Sequence, residues 1–199
     1  MNNTTLLCSI DIESSGPNMI RHGILSIGIC AGTVSGDIIV KKRFDFKLDN
    51  NITFDPDTYK NFWQKNLHIL AEIQKNPVEP LNGISQFITL IDNLDKQYQL
   101  IIISDCITFD IGFINYYLAK YLDRKPLTYN YKGDFRPVYD TDSYARGFLK
   151  KDYKNIYTHD NDIIKKLNIQ ITKSKSLQHL PEFDAEYNYN LHRMILIKK

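Results

Sequence analysis

A chain of 199 residues with 43% hydrophobic residues, 24% charged residues and a net charge of +2 carries enough apolar material for one domain, 1–199, and is short for two. No apolar run approaches the roughly 20 residues of a membrane span, and the opening Met1-Asn2-Asn3-Thr4-Thr5 lacks the basic segment and cleavage site of a signal peptide. Cys8, Cys30 and Cys106 all lie in apolar strand-like runs and fit buried reduced thiols better than a disulfide framework or a zinc site, so a soluble, cytoplasmic protein without membrane attachment is expected.

Thr5 to Ile10 is an apolar run that reads as a strand buried on both faces, and it leads into Asp11-Ile12-Glu13-Ser14-Ser15-Gly16-Pro17. Strand side chains alternate, which puts Asp11 and Glu13 on one face and Ile10 and Ile12 on the other, until Gly16-Pro17 ends the element. His22 to Gly32 and Ile38 to Phe46 are two further strands, and Val34-Ser35-Gly36-Asp37 between them is hairpin chemistry. The three strands make an antiparallel meander. A polar loop, 47–56, closes on Asp55-Pro56. Thr58 to Gln74 has helical spacing with Phe62, Leu67, Leu70 and Ile73 as its apolar set. Pro77 and Pro80 then interrupt, and a second helix fits Ile84 to Leu94.

Gln99 to Ser104 is a buried strand followed at once by a helical stretch, Phe109 to Leu122, which implies a second half with parallel pairing. An irregular loop occupies 126–137, with Arg136 to Tyr139 as a short strand. Thr141 to Leu149, Asp160 to Leu167 and Pro181 to Leu196 are the remaining helices. The fold class is therefore α/β, with a mixed sheet (three antiparallel strands, then parallel ones) flanked by helices. Charge is uneven along it. Residues 1–119 carry 9 Lys/Arg against 13 Asp/Glu, whereas 120–175 carry 13 against 7. An acidic half beside a basic half suits a metal site next to a phosphate-binding surface; scattered solvated lysines are the plainer account.

The candidate chemistry rests on carboxylates at element ends. Asp11 and Glu13 on one strand face repel each other unless a cation lies between them, and oxygen ligands of this kind suit magnesium or manganese. A polar strand terminus facing solvent is the alternative. Asp110 sits where a strand ends and a helix begins, where capping the helix would account for it. In His179-Leu180-Pro181-Glu182-Phe183-Asp184, five helical residues are about 140° apart, so the His and Asp would not share a helix face. Pro181 at the first helical position resolves this, leaving His179 in the preceding loop above Asp184. Asp140 and Asp142 are read as caps rather than ligands, and Trp63 or Phe62 as core or as rings that stack on a base.

Asp-x-Glu at the end of a first strand, Phe-Asp entering a central helix and His-x4-Asp entering a last helix, in that order, resemble the DEDDh (DnaQ-like) family of 3′→5′ exonucleases over roughly residues 5–195. Ser14-Ser15-Gly16 is similar to the Thr-Thr-Gly or Thr-Ser-Gly of that family. Asp57 to Trp63 is similar to a Thr-x-x-Trp-Trp stretch of phage exodeoxyribonuclease and mycobacterial exoribonuclease relatives. The resemblance implies a ribonuclease-H-like fold and a hydrolase that releases nucleoside monophosphates from the 3′ ends of single-stranded DNA or RNA, with DNA slightly favoured; a 3′→5′ exoribonuclease and an inactive nucleic-acid-binding module are the rivals. It implies two Mg2+ or Mn2+ ions held by Asp11, Glu13, Asp110 and Asp184, with His179 as general base. Substrate contacts fall to Ser14, Ser15, His22, Trp63 and Phe109, with Met19 and Ile20 in the loop where relatives wedge the terminal base, and a homodimer is compatible with it. The chief departure is Asp105-Cys106, where many members have an Asn upstream of the second motif.

Overall fold

The computed structural model describes residues 4–148, 164–165, 168–171 and 177–198. The strands are β1 (Thr5–Ser14), β2 (Ile24–Thr33), β3 (Ile38–Asp45), β4 (Gln99–Ser104) and β5 (Val138–Asp140), in the order β3-β2-β1-β4-β5. β1–β2 and β2–β3 pair antiparallel, β1–β4 and β4–β5 parallel, giving the mixed sheet expected. The helices are α1 (Pro56–Asn61), α2 (Leu67–Ile73), α3 (Pro80–Gln97), α4 (Ile107–Leu122), α5 (Thr141–Phe148) and α6 (Pro181–Ile197). The helix expected over Asp160 to Leu167 lies almost wholly outside the described residues. No described helix is long and apolar enough to cross a membrane.

The two sheet faces are built differently, and the alternation in β1 decides how. Leu6, Cys8, Ile10 and Ile12 join Ile27, Ile29 and Ala31 of β2 under α3 and α4, in the main core with Phe87, Ile91, Phe113 and Ile114. The opposite face, bearing Leu7, Cys30 and Ile103, takes Ala185 and Tyr189 of α6. Asp11 and Glu13 belong to that second face, as period-two alternation requires. Opposite Asp11 in the β1–β2 ladder is Gly28. A Cβ there would lie 1.9 Å from the carbonyl carbon of Pro181 and 2.2 Å from the Glu182 nitrogen, so the start of α6 rests directly on bare backbone. Arg43 of β3, next to Gly28 in register, pins the same turn through Glu182 (3.3 Å) while also reaching Asp45 (3.0 Å) and Glu72 (3.3 Å).

Several expectations change in detail. The single helix over 58–74 is three pieces: α1, a 3-10 turn at Trp63–Lys65 and α2. The break follows from Trp63, which is fully buried and donates its indole N–H to the Ser14 carbonyl (3.0 Å), and from the Asn66 side-chain amide, which donates to the Phe62 carbonyl (3.0 Å). The second helix starts at Pro80 rather than after it, because a proline at the first helical position loses no hydrogen bond. Cys8 and Cys30 are buried as expected, and burial pushes both thiols up to about 12. Cys106 instead is exposed, because the strand has ended at Ser104 and Cys106 flanks α4.

Candidate active site

Four segments converge at the C-terminal end of β1. β1 contributes Asp11 and Glu13, the first turn of α4 contributes Asp110, the turn before α6 contributes His179, and the first turn of α6 contributes Asp184. Glu13, Asp110 and Asp184 are all buried, between 3% and 8% exposed. Ligand atoms of Glu13, His179 and Asp184 lie within 4.8 Å of one another. Asp110 does not cap its helix: the cap residue is Cys106, with no side-chain bond. Its carboxylate points back to the sheet, accepting from the Ile12 N–H (3.3 Å) and from the Ser104 hydroxyl, which in turn accepts from the Cys106 N–H (3.0 Å).

His179 occupies the left-handed region (φ +68°), which a β-carbon makes costly. What holds it there is its backbone N–H, which donates to Asp184 Oδ2 (2.9 Å). The imidazole Nδ1 then faces Glu13 Oε1 at 3.9 Å, and the ring packs edge-on against Phe62, centroids 4.8 Å apart at 82°. The broken helix thus delivers Phe62, not Trp63, to the site.

The electrostatics are those of a cation pocket. Burial, then Asp110, Glu13, Asp105 and Asp184, hold the Asp11 carboxyl well above the usual carboxylate range. Burial and then Asp105 raise Asp110, against the bonds from Ser104 and Ile12 that favour its charge. Asp11 Oδ2 is buried with no hydrogen-bond partner among the described residues. A buried acceptor left in this state costs about 1–3 kcal/mol. Divalent cations would relieve both penalties, and an all-carboxylate donor set with one imidazole fits Mg2+ or Mn2+.

The remaining candidates divide. Ser14 and Ser15 are buried, and their hydroxyls shape the strand end: Ser14 donates to the Gly16 carbonyl (2.9 Å), while Ser15 donates to the Thr53 carbonyl (3.2 Å) and accepts from the Gly23 N–H (3.0 Å). Trp63, wholly buried, presents no face to a ligand. His22 accepts from the Asn18 N–H (3.0 Å) in the loop after β1, where Ile20 is 71% exposed. Met19 rests against Gly112 of α4, near the half-buried Phe109. Asp105 is exposed at the rim, and its charge reaches both Asp11 and Asp110. Asp140 accepts from the Ser143 N–H (2.7 Å) and the Ile107 N–H (3.4 Å), so it caps α5 and braces the start of α4. Sequence reasoning missed Gly28, Arg43 and Ser104, and named Phe62 only beside Trp63 as a core or stacking ring. Only Gly28 had a local signal, a glycine between isoleucines inside a strand, which marks close backbone approach.

Sheet order and helix placement together define a ribonuclease-H-like fold. No family model and no curated protein matches the chain by sequence. Among solved structures, the nuclease domain of 3′hExo, a DEDDh family member bound to rAMP, is similar over 98% of this chain and 94% of that one, with TM-score 0.66 and 13% identity. E. coli exonuclease I in complex with a dT13 oligonucleotide gives TM-score 0.70 and 11% identity over 98% of this chain, which spans 41% of exonuclease I. S. pombe Pop2p in its Mg2+- and Mn2+-bound form gives TM-score 0.60 and 17% identity, covering 96% of this chain and 82% of that one. At such identities the likeness establishes the fold.

Proposed function

We propose that this chain is a divalent-metal-dependent 3′→5′ exonuclease that hydrolyses single-stranded DNA or RNA to nucleoside monophosphates. The observation that carries the reading is the meeting of Asp11, Glu13, Asp110, Asp184 and His179, from four separate segments, at one end of β1. Similar folds in proteins described as exonucleases, one with an oligonucleotide and one with rAMP, support it. Asp11, Glu13, Asp110 and Asp184 would hold two Mg2+ or Mn2+ ions, whose chemistry is to neutralise the phosphate, activate water and stabilise the leaving 3′-oxygen. With its Nδ1 turned toward Glu13 Oε1 at 3.9 Å, His179 would keep Nε2 to accept the proton of the attacking water. Glu13 and Asp184 stabilise the imidazolium so formed. Phe62 and the backbone tether to Asp184 fix the ring. Since Trp63 supports β1 from within, its stretch gives no preference between DNA and RNA.

The test is degradation of 5′-labelled single-stranded DNA and RNA with Mg2+ or Mn2+. A ladder shortening from the 3′ end, with closed circles resistant, is expected for at least one of the two. Release of the 5′ label first as a mononucleotide, or efficient cutting of a circle, overturns the reading.

A further inference from the structure

Among the described residues after 119, four of the Lys and Arg side chains are spent on ion pairs within the protein. Lys120 pairs with Asp49 (2.7 Å), Arg124 with Asp92 (2.6 Å), Arg146 with Asp142 (3.6 Å), and buried Arg136 with Asp95. Three lysines in this part of the surface have no ion pair among the described residues, and each lies over an aromatic ring: Lys125 over Tyr129 (5.2 Å), and Lys132 and Lys96 over Tyr131 (5.5 and 5.9 Å). Beside them Phe135 is 78% exposed, its ring 4.6 Å from that of Tyr129. We propose that this aromatic and lysine surface, carried by the 129–135 turn, is a second binding platform for single-stranded nucleic acid, remote from the carboxylates.

The turn is preorganised. Asn130 Oδ1 accepts from the Lys132 and Asp134 N–H groups (both 2.9 Å), Gly133 takes φ +88°, and Tyr129 and Phe135 bridge antiparallel. Arg136 anchors its base, donating to the Leu127 carbonyl (2.8 Å) as well as to Asp95. A rigid turn that exposes a phenylalanine gains nothing from it in the free protein. Between the turn and the start of β4 lies a groove of about 350 Å3 bordered by Lys96, Tyr98, Asn130, Tyr131, Lys132 and Phe135. Rings that stack on bases, interleaved with ammonium groups that meet phosphates, form a sequence-tolerant platform for a single strand. The exposed Asp134 is the one acid on the turn and is outnumbered by the lysines.

The geometry assigns it the strand's upstream part. β4 runs from Gln99 at the groove to Ser104 beside Asp110, five steps of about 3.3 Å or about 17 Å in all. At about 3.4 Å per stacked nucleotide, roughly five nucleotides separate the two sites, fewer if the strand is stretched. Oligonucleotides of about three residues would not reach the platform; those of about 20 would.

The inference rests on reading the carboxylate site as a single-strand nuclease, and binding is therefore measured apart from hydrolysis. The probe is fluorescent oligothymidylate of about 20 nucleotides, titrated by anisotropy without divalent ions against the full chain. Phe135→Ala should weaken binding roughly tenfold, and Lys132→Ala should lower the slope of log K against log salt by about 0.7. With Mg2+, both variants should hydrolyse a trinucleotide as the wild type does. Unchanged affinity for the long strand in Phe135→Ala, with hydrolysis intact, overturns the platform and leaves the proposed function standing. Platform-dependent binding with no hydrolysis of either strand keeps the platform and overturns the nuclease. Equal losses on long and short strands, or a loss seen only with a polyglutamate probe, overturn it in favour of general damage or an acidic polypeptide partner.

Discussion

Gly28→Ala tests how the site is assembled, because Gly28 pairs with Asp11 only through the backbone ladder and offers no side chain to a metal or substrate. The added Cβ would lie 1.9 Å from the Pro181 carbonyl carbon and 2.1 Å from its oxygen, where ordinary contact begins at 3.4 Å. The obstacle is backbone and cannot rotate aside, so the first turn of α6 must retreat by roughly 1.5 Å, the difference between those separations. Arg43–Glu182 on that turn and Lys41–Glu186 on the next hold the start of α6 to β3, so relief in one place is resisted in the other. Asp184, three residues on from Pro181, and His179, bonded to it, shift relative to Asp11 and Glu13. A misplacement of about 1 Å costs on the order of 100-fold in rate, and overpacking of this kind costs about 1–3 kcal/mol. At this chain length that is a fall in Tm of roughly 2–12 °C. End-labelled strand hydrolysis and thermal unfolding measure the two effects. Gly147→Ala, with nothing within 4 Å of the added Cβ, is the control and should be neutral or gain up to about 1 kcal/mol. Wild-type turnover and Tm in Gly28→Ala would refute the account of how α6 is seated.

Other perturbations separate charge, proton transfer and packing. Asp11→Asn should abolish hydrolysis and the rise in Tm that Mg2+ or Mn2+ produces, while leaving the metal-free protein at least as stable at pH 8; burial and neighbouring carboxylates raise this group, so its charge opposes folding above its folded-state pKa, and that opposition fades as pH falls. An undiminished metal-induced rise, read by calorimetry, counts against Asp11 as a ligand. His179→Ala should retain the ions but lose roughly 10²–10⁴ in rate and the rising limb of the pH profile; near-normal turnover would make it a loop residue only. His192 is buried beside Tyr144, and burial lowers its pKa to about 4. The unfolded chain therefore takes up a proton that the folded one refuses, so this contribution is complete above pH 6.5 and is lost as pH falls toward 4. It amounts to about 3 kcal/mol. Urea unfolding at pH 7 and below pH 5 should show the difference, and His192→Phe should shrink it; a variant with the wild-type pH dependence would assign the loss elsewhere.

What the sequence by itself determined about this protein lies where local physics dominates. The alternation of β1 was enough to put Asp11 and Glu13 on one face, because side-chain direction in a strand is set by the backbone alone. Pro181 was enough to place His179 in a loop and Asp184 on a first turn, because proline fixes where a helix begins. The run of strand and helix patterns carried the α/β class, and the order of the three short motifs pointed to the ribonuclease-H-like fold through its resemblance to the DEDDh exonucleases. What only the tertiary structure decided are the features that depend on residues far apart in the chain. Asp110 had a sufficient local explanation as a cap, and its partners, Ile12 and Ser104, are supplied by neighbouring strands. Trp63 and Phe62 are adjacent and equally aromatic, yet the bond from Trp63 to Ser14 buries one ring and leaves the other against His179. The basic excess after residue 119 suited a phosphate surface or plain solvated lysines, but Lys120, Arg124 and Arg136 are paired with Asp49, Asp92 and Asp95, which come from earlier in the chain. Composition counts charges; only packing says which of them meet, because ion pairing acts over a few ångströms and sequence separation does not limit it.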